Sequence, residues 1–122
     1  MPHIAVDYSG SLDNSFDRRI FSLALHPELV AIVDAGLPYC KSRFRRMEET
    51  VIGDGSADDA AVHVEIALRP KGRTQEAKAR LAARVLELIL DHLEDVPDRR
   101  VHISVEVRDL DSTYRSDRTE AA

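Results

Sequence analysis

Pro2 has the most unusual chemistry to offer in this sequence, provided that Met1 is removed. A small residue in second place makes that processing expected, and the mature chain then begins with a secondary amine. Such an amine is ordinarily protonated at neutral pH. Burial and nearby cations both disfavour the charged form, so each lowers its pKa. A neutral prolyl nitrogen titrating near the working pH is an efficient general base. Arg73, in "GRT" (72–74), is expected to stand beside it, just before a helix start where backbone donors and the helix dipole favour anions. On its own residues, Arg73 reads equally well as a surface arginine in a turn. Arg43 opens the basic stretch "RFRR" (43–46), and its guanidinium can grip a carboxylate bidentately. Glu48 and Glu49 follow at once, so an ordinary solvated strand face explains the same stretch.

Other chemistries have weaker support. The sequence holds no Gly-rich phosphate loop, CxxC, HExxH or GxSxG motif. His3, His63 and His102 occupy matching phases of three strand-like segments and could converge on a metal. No carboxylate spacing supports such a site, and polar-face strand positions account for all three, so no metal is expected. Cys40, the single cysteine, is expected to be a small buried apolar residue.

The totals bound the remaining choices. A chain of 122 residues with 43% hydrophobic and 32% charged residues is one globular domain with a real core. Its net charge of −5 argues against nucleic acid or an anionic membrane as partner. No apolar run is long enough to span a bilayer, no secretory signal opens the chain, and one cysteine cannot form an internal disulfide. A cytoplasmic location is expected.

Positioning Pro2 falls to the segment that starts immediately after it, where Ile4, Val6 and Tyr8 alternate with His3, Ala5 and Asp7. "SGSLDNS" (9–15) is a turn, and a helical stretch follows with Phe16, Ile20, Leu23, Ala24, Val30 and Val33 as its apolar face. Pro27 lies inside it and predicts a kink or two abutting helices. Gly36 is expected to cap its end, and "KSRFRRMEETVI" (41–52) reads as a strand. After a loop at 53–59, "AAVHVEIAL" (60–68) alternates strictly. Thr74 caps a helix running to about Leu93, with Ala77, Leu81, Val85, Leu88 and Ile89 inward. "EDVPDR" (94–99) breaks that helix, and "RVHISVEV" (100–107) is the last strand.

The order predicts an α+β fold of two βαβ units, residues 1–52 and 60–110, followed by a loose polar tail at 111–122. Right-handed crossovers make the strands of each unit parallel and place both helices on one face of a four-stranded sheet. The other face carries His3, Ala5, Asp7, His63, Glu65, Ala67, His102, Ser104 and Glu106, a mixed set expected to meet other subunits. In such an oligomer the tail could instead fold over a neighbour.

"MPHIAVDYS", "KSRFR", "HVEIALRPKGRT" and "ISVEVRDLDSTYR" together resemble the 5-carboxymethyl-2-hydroxymuconate isomerase family of the tautomerase superfamily, across nearly the whole chain. That resemblance implies a homotrimer, no cofactor, and a proton shift converting a 2-hydroxymuconate-like di- or tricarboxylic dienol to its 2-oxo isomer. It gives Pro2 the role of base. Arg73 would bind a carboxylate and stabilise charge on the 2-oxygen. Lys41 and Arg43 match the family's Arg-Ser-Arg strand motif, with lysine replacing the first arginine and losing its planar fork. Two other readings remain open. One is a same-fold hydratase or dehalogenase acting on an unsaturated acid, with Glu106 or Asp109 activating water. The other is a non-catalytic oligomeric module.

Overall fold

The strict alternation of three segments becomes three strands of one sheet. The computed structural model describes residues 2–94 and 97–121. Its elements are β1 (His3–Ser9), α1 (Arg18–Val33), β2 (Lys41–Met47), β3 (Asp59–Leu68), α2 (Gln75–His92) and β4 (Arg100–Asp109). Short 3-10 turns at Gly10–Leu12 and Leu37–Tyr39 lead out of β1 and into β2. The strand order is β2-β1-β3-β4, with both outer pairs parallel and the central β1–β3 pair antiparallel. Each parallel pair is bridged by one helix, as right-handed crossovers require.

Ile4, Val6 and Tyr8 of β1 and Val62, Val64, Ile66 and Leu68 of β3 form the floor of the core. Leu81, Val85, Leu88 and Ile89 of α2 close over it, on the expected face. Thr74 caps that helix, its Oγ1 accepting from the Ala77 N–H at 3.0 Å.

The first helix departs from expectation. Val33 is buried as expected, but the other buried apolar residues are Phe21, Leu25 and Leu29, whereas Ile20, Leu23 and Val30 are exposed. The helix is apolar on more than one side, so spacing alone does not choose its inner face. Its cap does part of the choosing: Asp17 accepts from the Ile20 N–H at 3.1 Å and fixes where the first turn begins. Pro27 neither divides the segment nor ends it, and α1 runs unbroken to Val33. The carbonyl deprived of a donor by Pro27 belongs to Leu23, an exposed residue that water can reach.

Three smaller corrections concern ends. Asp34, not Gly36, takes the left-handed conformation that closes α1, at φ 54° and ψ 42°. Aspartate tolerates that region better than most residues. Strand β2 stops at Met47 instead of continuing to residue 52, because its one neighbour, β1, runs out at Ser9. The tail is not loose: Tyr114 and Arg118 pack back onto the body of the chain. Of the break expected at 94–99, Asp95 and Val96 lie outside the described residues.

A single ion-pair cluster ties the starts of β3 and β4. Asp59 accepts from Arg100 at 2.9 Å and from His102 at 3.1 Å, and these hold its pKa down from 3.8 to about 2. A folded value below the unfolded one contributes stability above about pH 4, and that contribution fades as pH falls through about 2. Asp59→Asn is therefore expected to lower Tm at neutral pH, with the gap to wild type narrowing across that acid range. A constant gap would contradict the assignment.

Candidate active site

Parallel β1–β2 and antiparallel β1–β3 pairing bring four chain segments to one end of the sheet. The starts of β1 and β2 meet there with the end of β3 and, because β3 and β4 are parallel, with the end of β4. Pro2 is buried at this end, and its carbonyl accepts from the Lys41 N–H at 3.2 Å. Removal of Met1 concerns a residue outside the described ones. Lys41 and Arg43 of β2 share a face of the sheet with His3 of β1, and the register pairs Lys41 with His3 and Arg43 with Ala5.

Arg73 is half-buried and turned toward α1. Its Nε donates to the Val33 carbonyl at 2.6 Å, and its Nη1 donates to the Arg69 carbonyl. One of these acceptors belongs to the last turn of α1, whose carbonyls lack helical partners and carry the negative end of the dipole. Arg73 thus braces the end of one helix against the turn leading into the next. Gly72 makes that reversal possible, since its φ of 70° suits glycine. Among the described residues nothing engages the Arg73 Nη2 group. The arginine lines a cleft of about 330 Å³ with Asp34, Tyr39, Arg69 and Lys71. The sequence placed Arg73 in the right turn but did not reveal the brace.

His3 connects β2 to the tail. Arg43 Nη1 donates to its Nδ1 at 3.4 Å, so the ring proton resides on Nε2 and is donated to the Tyr114 hydroxyl at 2.7 Å. Tyr114 meets the His3 ring edge-on, with 5.4 Å between centroids, and Arg69 lies over the tyrosine ring at 5.7 Å. Burial, reinforced by Lys41 and Arg43, lowers the His3 pKa below its ordinary 6.5. Tyr114→Ala should uncover the imidazole and move its pKa up toward 6.5 in an NMR titration. An unmoved value would mean that the tail does not cover His3. Both residues lie in the stretches that carry the family resemblance, but neither is singled out for a role there; the antiparallel register of β1 and β3 brings Arg69 here.

Positive charge is left uncompensated at this end. Other arginines of the sheet are paired: Arg45 with Asp7, Arg100 with Asp59 and Arg108 with Glu65. Among the described residues no carboxylate lies within 4.0 Å of the charged groups of Lys41, Arg43, Arg69, Lys71 or Arg73. Lys41 itself lines a second cleft of about 410 Å³ under the tail, beside Tyr39 and Arg118. Cys40 is partly, not fully, buried, and that burial raises its thiol pKa.

The remaining candidates are engaged elsewhere or lie in other parts of the chain. The three strand histidines do not converge: His63 bonds Ser104 at 2.7 Å, His102 bonds Asp59, and His3 is occupied as described. His63, Glu65 and Glu106 form the one group among the described residues whose donor atoms, within 4.8 Å of one another, could hold a cation. Arg108 already binds Glu65, and Ser104 binds His63. Asp109 is engaged by Lys78 at 2.8 Å. A third cleft, about 720 Å³, lies among Asp13, Phe16, Arg18, Leu23, His26 and Phe44 and contains none of the expected site residues.

This arrangement is the tautomerase fold. A 5-carboxymethyl-2-hydroxymuconate isomerase from Deinococcus radiodurans R1 shares it with a TM-score of 0.83 at 21% identity, covering 96% of this chain and 90% of that one. A 5-carboxymethyl-2-hydroxymuconate delta-isomerase has a TM-score of 0.81 at 18% identity, covering 98% of this chain and 89% of the other. A fused 4-OT symmetric trimer has a TM-score of 0.70 at 22% identity, covering 94% and 90% respectively. No curated protein shows a significant match to this chain. The family model for 5-carboxymethyl-2-hydroxymuconate isomerase matches residues 2–121, and the chain belongs to that isomerase family. Among the described residues no helix is long and apolar enough to cross a membrane.

Proposed function

We propose that the protein is a cytoplasmic keto–enol tautomerase that uses the amine of Pro2, freed by removal of Met1, as its base. The observation that carries this reading is a buried Pro2 at a sheet end where, among the described residues, Lys41, Arg43, Arg69, Lys71 and Arg73 have no carboxylate within 4.0 Å. Desolvation and positive potential both hold an amine there in its neutral form. His3, the next residue, already feels both effects, from burial and from Lys41 and Arg43.

The substrate is a 2-hydroxymuconate-like unsaturated di- or tricarboxylic acid. Pro2 nitrogen takes the proton of the 2-hydroxyl, and the electron pair of the broken O–H bond becomes the carbonyl π-bond. The displaced double-bond electrons take up the same proton at carbon, so nothing is gained or lost overall. Negative charge builds on the 2-oxygen during the transfer. Arg73, held by the Val33 and Arg69 carbonyls, supplies a preorganised donor for it through Nη2. Lys41 and Arg43 attract a substrate carboxylate at the start of β2. No metal or organic cofactor is needed for these steps.

A homotrimer is the assembly this reading favours, since a similar fold occurs in a symmetric trimer and the charged sheet face has no helix over it. Light scattering should return three times the chain mass of 13.7 kDa. A clean monomer would remove the assembly from the account. Ultraviolet absorbance across a panel of 2-hydroxydienoic acids tests the activity itself. Conversion of dienol to 2-oxo product faster than buffer alone is expected; background rates with every member of the panel would overturn the reading.

A further inference from the structure

Two cations on the β3–α2 turn, Arg69 and Lys71, have no role in the chemistry above. The antiparallel register pairs His3 with Ala67, so Arg69 follows two residues later, at the Pro2 end of the sheet. Its backbone is fixed by Arg73, which donates to its carbonyl, and its guanidinium is supported on the Tyr114 ring. Lys71 is exposed on the rim of the same cleft of about 330 Å³. Asp34 is the one acid lining that cleft, against Arg69, Lys71 and Arg73. In a chain of net charge −5, this excess of positive charge in one concavity is the reverse of the overall balance. Field from such a cleft concentrates small anions.

We propose that Arg69 and Lys71 form a second anion subsite that holds a remote carboxylate of the substrate, selecting polycarboxylates over monocarboxylates. The selection rests on the tautomerase reading above; the anion binding does not. Arg73 links the two proposed functions, its Nη1 tied to the carbonyl of Arg69 and its side chain lining the same cleft as Arg69 and Lys71. A substrate with one carboxylate uses the reacting end alone. One with additional carboxylates also gains the paired cations of the turn, in both ground and transition states. Uniform binding of that kind changes KM and leaves kcat alone.

The test is the double variant Arg69→Gln, Lys71→Gln, which keeps side-chain size while removing both charges. Steady-state assays should show KM for a tricarboxylic hydroxydienoate raised about tenfold or more, as expected for lost charged contacts. Its kcat, and the KM for a monocarboxylic hydroxydienoate, should stay within about twofold of wild type. Calorimetry with propane-1,2,3-tricarboxylate and with acetate gives a readout that needs no turnover. Wild type should bind the tricarboxylate, and the double variant should lose about tenfold in affinity. Equal tricarboxylate affinity in both proteins, or turnover with an unchanged KM ratio, would overturn the subsite and leave the tautomerase standing. Loss of tricarboxylate affinity in a protein that turns over no hydroxydienoate would support the subsite and remove the tautomerase.

Discussion

Pro2→Ala is expected to lower kcat for enol-to-keto conversion by about 10²–10⁴-fold, the usual contribution of a positioned general base. Alanine is also a small second residue, so Met1 should be lost from the variant as well, and intact mass checks this directly. The variant then offers a primary amine on a more mobile end in place of a ring-fixed secondary one. Its fold should survive. Pro2 precedes β1, and the one backbone contact described for it uses its carbonyl, which alanine retains. Thermal melting should therefore place the variant within about 1 kcal/mol of wild type, the range of a small truncation. Wild-type turnover in a variant with the correct mass would leave Pro2 as the first residue of a structural strand and nothing more.

Arg73→Ala carries the second large effect and should act on two quantities. Loss of the donor proposed for the developing oxyanion is expected to cost about 2–4 kcal/mol of transition-state stabilisation. That corresponds to roughly 30–900-fold in kcat/KM. Removing the brace also leaves the Val33 and Arg69 carbonyls without this donor, at a cost of about 1–3 kcal/mol of stability if they stay buried. Arg73→Lys separates the two effects. Lysine keeps the positive charge but cannot reach two carbonyls and an oxyanion with one planar fork. It should recover part of the rate with little of the stability. Recovery of both would reduce Arg73 to a point charge, and a wild-type rate in Arg73→Ala would remove it from the chemistry.

Legibility in the sequence followed periodicity. Strands β1, β3 and β4 alternate cleanly between a core face and a polar face, and α2 has one apolar stripe, so each could be read from spacing. Helix α1 could not, because Ile20, Leu23 and Val30 offer as good a stripe as Phe21, Leu25 and Leu29. The sheet, not the helix, decides which stripe is buried. The end of strand β2 is not legible for a related reason: it depends on where β1 stops pairing. For the candidate site, the sequence exposed residues whose chemistry is unusual in itself, above all a second-position proline. The placement of Arg69 and Tyr114 beside His3 stayed hidden because it comes through long-range geometry. One arrives by the register of two antiparallel strands, the other by a tail that folds back 111 residues along the chain to His3.

The central claim is that Pro2 presents a neutral amine at working pH, and a titration tests it most directly. Protein labelled with ¹⁵N-proline should show the Pro2 nitrogen losing its proton near or below neutrality. The acid limb of kcat/KM, measured on the same preparation, should follow the same midpoint. An amine still protonated well above pH 8, with turnover indifferent to its ionisation, would contradict the account.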